Sequence, residues 1–176
     1  MIVCPDCGHA NIVGADTCEQ CQQPLVAFDT QTLASDVERS LIEDPISVLK
    51  TNPAVTVAPD TRVGDVLKLL VDYSVGCVLV VDDDQLVGVF SERDALMHLN
   101  VEAAQLADQP VSKFMTASPT TLEVTHKIAF ALHRMDLGGY RHIPILTDGK
   151  PSGILSIRNI LAYLTAKAAA ERDASA

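Results

Sequence analysis

Residues 53 to 165 carry one pattern twice, visible without a gap when each residue of the first copy is compared with the residue 65 positions later. The register pairs Thr56 with Thr121, Val63 with Ile128, Leu67 with Leu132, Val78 with Ile143 and Val80 with Ile145. It continues through Gly88 and Gly153, Ser91 and Ser156, Arg93 and Arg158, and Leu96 and Leu161. A repeat this regular confines the chain to two versions of one unit.

The unit reads as strand, helix, strand, polar turn, strand and closing helix. In the first copy Val55 to Val57 is the opening strand, and Thr61 is the expected N-cap of a helix whose Val63, Val66, Leu67 and Leu70 share a face. That helix ends near Tyr73. Cys77 to Val81 is apolar throughout and β-branched, as in a strand buried on both faces. Asp82, Asp83 and Asp84 form the turn, Leu86 to Phe90 returns, and Ser91 opens the closing helix with Glu92 in its first turn. In the second copy Thr125 is the expected cap, Ile128 and Leu132 the buried face, Asp148-Gly149 the turn, and Ser156 the start of the last helix.

Ahead of the repeat, Cys4-Pro5-Asp6-Cys7 and Cys18-Glu19-Gln20-Cys21 are two CxxC knuckles with ten residues between them, and Gly8 and Gly14 are available for tight turns. Four thiolates can close a tetrahedron. A segment this short cannot bury enough apolar surface to fold alone, and structural zinc can supply about 10 kcal/mol or more. The stretch from Cys4 to Leu25 resembles the short zinc ribbons at the ends of many prokaryotic proteins. A four-Cys set leaves no open coordination position, so a catalytic metal is disfavoured, and rubredoxin-like iron is the other reading. His9 reads as a surface residue beside these four sulfurs.

Leu33, Val37 and Leu41 recur every four residues between Asp29 and Asp44, predicting a short amphipathic helix capped by Thr30 or Thr32 and stopped by Pro45. Its apolar stripe is expected to dock on the following domain. The domain reading is therefore a ribbon over 1–25, a linker helix over 26–45, repeat units over 46–108 and 109–170, and a flexible tail over 171–176, where the Ala-rich end either extends the last helix or frays.

Composition narrows the function. The formal net charge is -10, and residues 1–25 hold Asp6, Asp16 and Glu19 but no Lys or Arg. Nucleic-acid affinity rests on cations that release counterions from phosphates, so a polyanion partner is disfavoured. No apolar run approaches the roughly 20 residues that span a bilayer, and no secretion signal is evident, so a cytoplasmic protein without a membrane partner is expected. Four of the five cysteines sit in the knuckles. Cys77 begins an apolar strand with no base in view and reads as packing. Asp82 to Asp84 reads as a solvated turn, and His98, His126 and His133 share no ligand spacing. No Ser-His-Asp, Walker or Gly-rich dinucleotide motif is present, so the chain is not expected to be an enzyme.

A repeated β-α-β-β-α unit with LVGVFSERDAL in the first copy, and YRHIPIL and PSGILSIRNIL in the second, resembles the CBS domain, whose tandem pairs form the Bateman module. The resemblance implies an α+β fold: tandem CBS domains related by pseudo-two-fold symmetry, plus the small N-terminal zinc ribbon. It also implies an adenosine-containing ligand such as AMP, ADP, ATP or S-adenosylmethionine in the crevice. Relatives that bind one carry Gly-x-x-Ser/Thr-x-x-Asp, and Gly88, Ser91 and Asp94 match it. Ser91 would face the phosphates at a helix N-terminus, and Asp94 the ribose hydroxyls. The bland reading makes Ser91 an N-cap and Asp94 a solvated helix residue. In the second copy Gly153, Ser156 and Asn159 lack the carboxylate, so unequal sites are expected. Arg141 and His142 resemble the basic pair that contacts phosphates, where the first copy has Gly76 and Cys77. Arg93 and Arg158 are further cations, and adenine is expected near Cys77 and Val78. The resemblance further implies a homodimer through the CBS helices and regulation of an unidentified protein target. The alternative is a nucleic-acid-associated transcriptional accessory protein that uses the ribbon.

Overall fold

The computed structural model describes residues 1–4, 7–12, 15–25 and 35–174. The chain divides into two compact units: Met1–Leu49, Thr125–Gly139 and Arg158–Ala176 form one, and Lys50–Val124 with Tyr140–Ile157 the other. In chain order the elements are β1 Ile2–Val3, β2 Ala10–Asn11, α1 Asp36–Glu43, β3 Thr56–Val57, α2 Val63–Asp72, β4 Cys77–Asp82 and β5 Gln85–Ser91. Then come α3 Glu92–Asp94, α4 Ala103–Leu106, β6 Thr116–Ala117, β7 Leu122–Glu123, α5 Ile128–Gly138, β8 His142–Thr147, β9 Lys150–Ser156 and α6 Ile157–Ala174. This is a mixed α+β fold in which the strand, helix, strand, strand order of the repeat recurs, while the closing helix is three residues long in the first copy and 18 in the second.

The second unit holds two sheets. One runs β3-β4-β5-β6 and the other β7-β8-β9, with β3 parallel to β4, β7 parallel to β8, and the remaining pairs antiparallel. The register breaks at Val80/Val81 in one hairpin and at Ile145/Leu146 in the other, the same place in both copies. Asp83 and Asp84, and then Asp148 and Gly149, all have positive φ, as two-residue hairpin turns require. On β4 the alternation of side chains divides the core. Val78 and Val80 pack with Val63, Val66, Leu70 and Phe90, whereas Cys77 and Leu79 pack with Ile154 of the second copy. Burying each such aliphatic or aromatic side chain contributes about 1.5–3 kcal/mol.

The expected caps Thr61 and Thr125 are not the caps. Arg62 and Lys127 occupy the N-cap positions and make no side-chain capping bond. Carbonyls from elsewhere satisfy the orphan N–H groups instead. Val63 and Gly64 donate to Gln109 and Ala107 at 2.8 and 2.9 Å, and Ile128 donates to Asp44 at 3.1 Å. Lead-in segments are thus exchanged between copies. β6, which precedes the second copy, pairs with β5 of the first, and Asn52, which precedes the first, bridges Ile154 of the second. A boundary at 108/109 follows the repeat in the sequence, while the hydrogen bonds cross it.

In the first unit α1 begins at Ser35, whose hydroxyl accepts from the Glu38 N–H, and ends at Asp44 just before Pro45. Thr30, Thr32 and Leu33 lie outside the described residues. The helix docks on the second copy's helices α5 and α6. The Val37 N–H donates to Glu171 of α6 at 3.0 Å, and the Tyr163 hydroxyl donates to Asp44. Lys167 pairs with Asp44 at 3.9 Å and lies over the Tyr163 ring. α6 continues to Ala174, so most of the expected tail is helical.

Candidate functional site

Two places gather chemistry. In the ribbon, β1 and β2 pair antiparallel, with Ile2 opposite Asn11 and Val3 opposite Ala10. Both knuckles then turn alike. Gly8 and Gln22 have φ of 70° and 60°, and their N–H groups donate to Cys4 at 3.0 Å and Cys18 at 2.8 Å. The sulfurs of Cys4 and Cys21 lie 3.6 Å apart, those of Cys7 and Cys18 3.5 Å, and all four fall within 4.8 Å of one another. Four thiolates about 2.3 Å from a tetrahedral ion stand roughly 3.8 Å apart, so the set fits one such metal. His9 is not in the cluster. Of the two expected turn glycines, Gly14 lies outside the described residues.

The second place is the end of β5. Ser91 caps α3, and its hydroxyl and backbone N–H both donate to Asp94 Oδ2, at 2.5 and 2.8 Å. The Asp94 N–H donates back to Ser91 Oγ at 3.3 Å, completing a capping box. Asp94 is more than a solvated helix residue, because its Oδ1 also accepts from the Thr116 hydroxyl at 3.1 Å. The sequence reading missed Thr116. Its counterpart 65 positions earlier is Thr51, a match just outside the repeat as first delimited. β6 brings Thr116 there by pairing with β5, and Gly88 is where the two strands meet: a Cβ on it would lie 2.3 Å from Met115 Sδ. The glycine of the signature therefore serves strand contact.

The start of β8 reaches the same turn. A Cβ on Gly76 would lie 2.5 Å from both Cε1 and Nε2 of His142, so the imidazole rests against that glycine. Gly76 in turn accepts from the Glu92 N–H at 3.1 Å, and Cys77 pairs with Ser91. The second copy repeats this, with Ile157 donating to Arg141 at 3.0 Å and His142 paired with Ser156. The structure thus sets the His142 ring against Gly76, whose carbonyl accepts from the residue after Ser91, while the Arg141 carbonyl accepts from Ile157 at the equivalent turn of the second copy.

It does not offer Val78, whose side chain is wholly within the first-copy core, so that only its backbone remains for a ligand. Burial pushes the Cys77 thiol up to about 12, with the Asp94 and Glu92 charges adding to it, as befits a packing residue. Arg93, Arg141 and Arg158 are exposed, Asn159 is half-buried and Ser156 is buried. Two cavities stand apart from this turn. One of about 470 Å³ opens between α1 and α6, and one of about 280 Å³ is lined by Gln85, Leu86, Ser118 and their neighbours; neither includes Ser91, Asp94 or His142.

The profile of the CBS domain matches residues 42–101 and 111–166. The chain belongs to the CBS-domain family. A CBS domain-containing protein of Arabidopsis thaliana, CBSCBSPB1, is 30% identical over 122 residues, which are 69% of this chain but only 21% of the plant protein. Two solved CBS structures are also similar. CBSX2 in complex with AMP is 30% identical, with a TM-score of 0.59, and covers 70% of this chain and 98% of its own. A CBS domain protein of Pyrobaculum aerophilum complexed with AMP is 26% identical at TM-score 0.59, covering 69% and 98%. Among the described residues, no helix is long and apolar enough to cross a membrane.

Proposed function

We propose that this CBS-domain protein is a non-catalytic cytoplasmic sensor that binds an adenosine nucleotide at the turn formed by Ser91, Asp94 and Thr116. The observation that carries the reading is the Asp94 carboxylate, ordered by three hydroxyl and N–H donors at the end of β5. A ribose diol can replace hydroxyl donors on such a carboxylate with little loss of hydrogen bonding. His142 and Arg141, at the start of β8, supply cations for an anionic group; Arg93 is a further candidate. AMP in two CBS structures of 30% and 26% identity supports the ligand class. In the second copy Ser156 and Asn159 form the weaker counterpart, since a carboxamide lacks the charge and the paired acceptors.

In the same reading, Cys4, Cys7, Cys18 and Cys21 hold structural zinc, and the ribbon presents a surface to a regulated protein. Leu96 and Leu161, equivalent in the repeat and 74% and 63% exposed, supply apolar surface for a homodimer through the CBS helices. Calorimetric titration with AMP, ADP, ATP and S-adenosylmethionine tests the sensing role. Saturable heat from at least one is expected, and silence from all four at millimolar concentration rejects it.

A further inference from the structure

The ribbon contains a polar side chain that the four-cysteine reading leaves unused. Asn11, at the end of β2, is only 1% exposed. Its Nδ2 donates to the His9 carbonyl at 3.0 Å and approaches Cys18 Sγ at 3.6 Å and the Ile2 carbonyl at 3.5 Å. Its Oδ1 accepts from the Glu19 N–H at 3.0 Å. That last bond fixes which way the carboxamide lies. A backbone N–H can only donate, so the oxygen faces Glu19 and the NH2 group faces the sulfur.

The two knuckles follow each other at an offset of 14 residues, which aligns Cys4 with Cys18, Cys7 with Cys21, Gly8 with Gln22 and Asn11 with Leu25. Leu25 is as buried as Asn11 and packs with Cys4 and Cys18. One half of the centre is therefore backed by an amide and the other by a hydrocarbon. An N–H aimed at a thiolate draws charge from the sulfur and fixes its direction. Four thiolates around one divalent ion leave an excess of negative charge, and such a donor offsets part of it.

We propose that Asn11 is a positioning residue for the four-cysteine centre, tying the second knuckle through Glu19 and tuning the Cys18 sulfur through its Nδ2–H. The proposal rests on the metal reading of the cysteines. Two substitutions separate its parts. Asn11→Leu removes every polar contact and mimics the Leu25 half. Asn11→Asp keeps shape and the acceptor for Glu19 but takes away the donor to sulfur.

The test uses the full chain loaded with zinc or with cobalt(II), whose sulfur-to-metal charge-transfer band reports electron density on the ligating sulfurs. Both variants are expected to bind zinc about 10- to 100-fold more weakly in chelator competition, as loss of an outer hydrogen bond does elsewhere. Both are also expected to move the cobalt band to lower energy. A merely structural role lowers affinity and leaves the band where it is, so an unmoved band in the cobalt-loaded Asn11→Asp protein overturns the proposal. Unchanged affinity in both variants overturns it too. If the unsubstituted protein takes up neither ion, the metal reading itself has failed, an outcome distinct from either of these.

Discussion

Gly76→Ala is the sharpest single perturbation of the proposed nucleotide turn. The new methyl would lie 2.5 Å from two atoms of the His142 ring, where carbon contacts normally open to about 3.5–4.0 Å. The ring must move by roughly 1 Å or more, and a planar imidazole has only two side-chain torsions with which to do so. Overpacking of this kind costs about 1–3 kcal/mol. In a protein of this size that lowers Tm by roughly 2–12 °C. Displacing the imidazole should also weaken AMP binding, because the ring leaves the turn. His142→Ala removes the obstacle, so the double variant Gly76→Ala/His142→Ala should melt close to His142→Ala alone. Thermal melts by circular dichroism on the four proteins, paired with AMP calorimetry, read both effects. If Gly76→Ala melts with the unsubstituted protein, or if the two substitutions add without coupling, the packing of His142 on Gly76 is refuted.

Asp94→Ala should weaken AMP binding more than Asn159→Ala and should cost about 1–2 kcal/mol of stability through the lost capping box; equal losses of affinity contradict unequal sites. Cys77 should resist iodoacetamide at pH 8 in the metal-loaded protein, since its thiol is pushed up to about 12, and rapid single labelling would show otherwise. The folded state holds that proton more tightly than the unfolded chain. Its contribution to stability is therefore full below pH 9 and is lost as pH rises toward 12, which a pH series of melts on Cys77→Ala and the unsubstituted protein can isolate. Removing metal with a strong chelator should unfold residues 1–25 while the CBS melting transition persists, because the ion replaces the apolar core that the ribbon lacks. Retention of ribbon amide protection after chelation would refute this.

Much of the site was legible in the residues. Ser91 and Asp94 lie three apart at a strand-to-helix step, and their mutual hydrogen bonds follow from that spacing alone. Thr116 was not legible, because its partner Asp94 is 22 positions away and the two meet only when β6 crosses to the first copy's sheet. The family resemblance placed adenine near Cys77 and Val78, through apolar contacts and backbone groups. Which face Val78 shows was settled when alternate residues of β4 were divided between two packing clusters.

The sequence by itself determined the repeat, the strand, helix, strand, strand order within each copy, both hairpin turns and the four clustered cysteines, since each depends on spacing within a few residues or on recurrence at a constant offset. Only the tertiary structure decided the partners of the helix starts, the exchange of lead-in segments, the docking of α1 on α6, and the place of Thr116, His142 and Asn11. Those choices belong to carbonyls, hydroxyls and amides that nearly every residue can supply. A polar group far along the chain becomes a specific partner only once packing has brought it within hydrogen-bond reach.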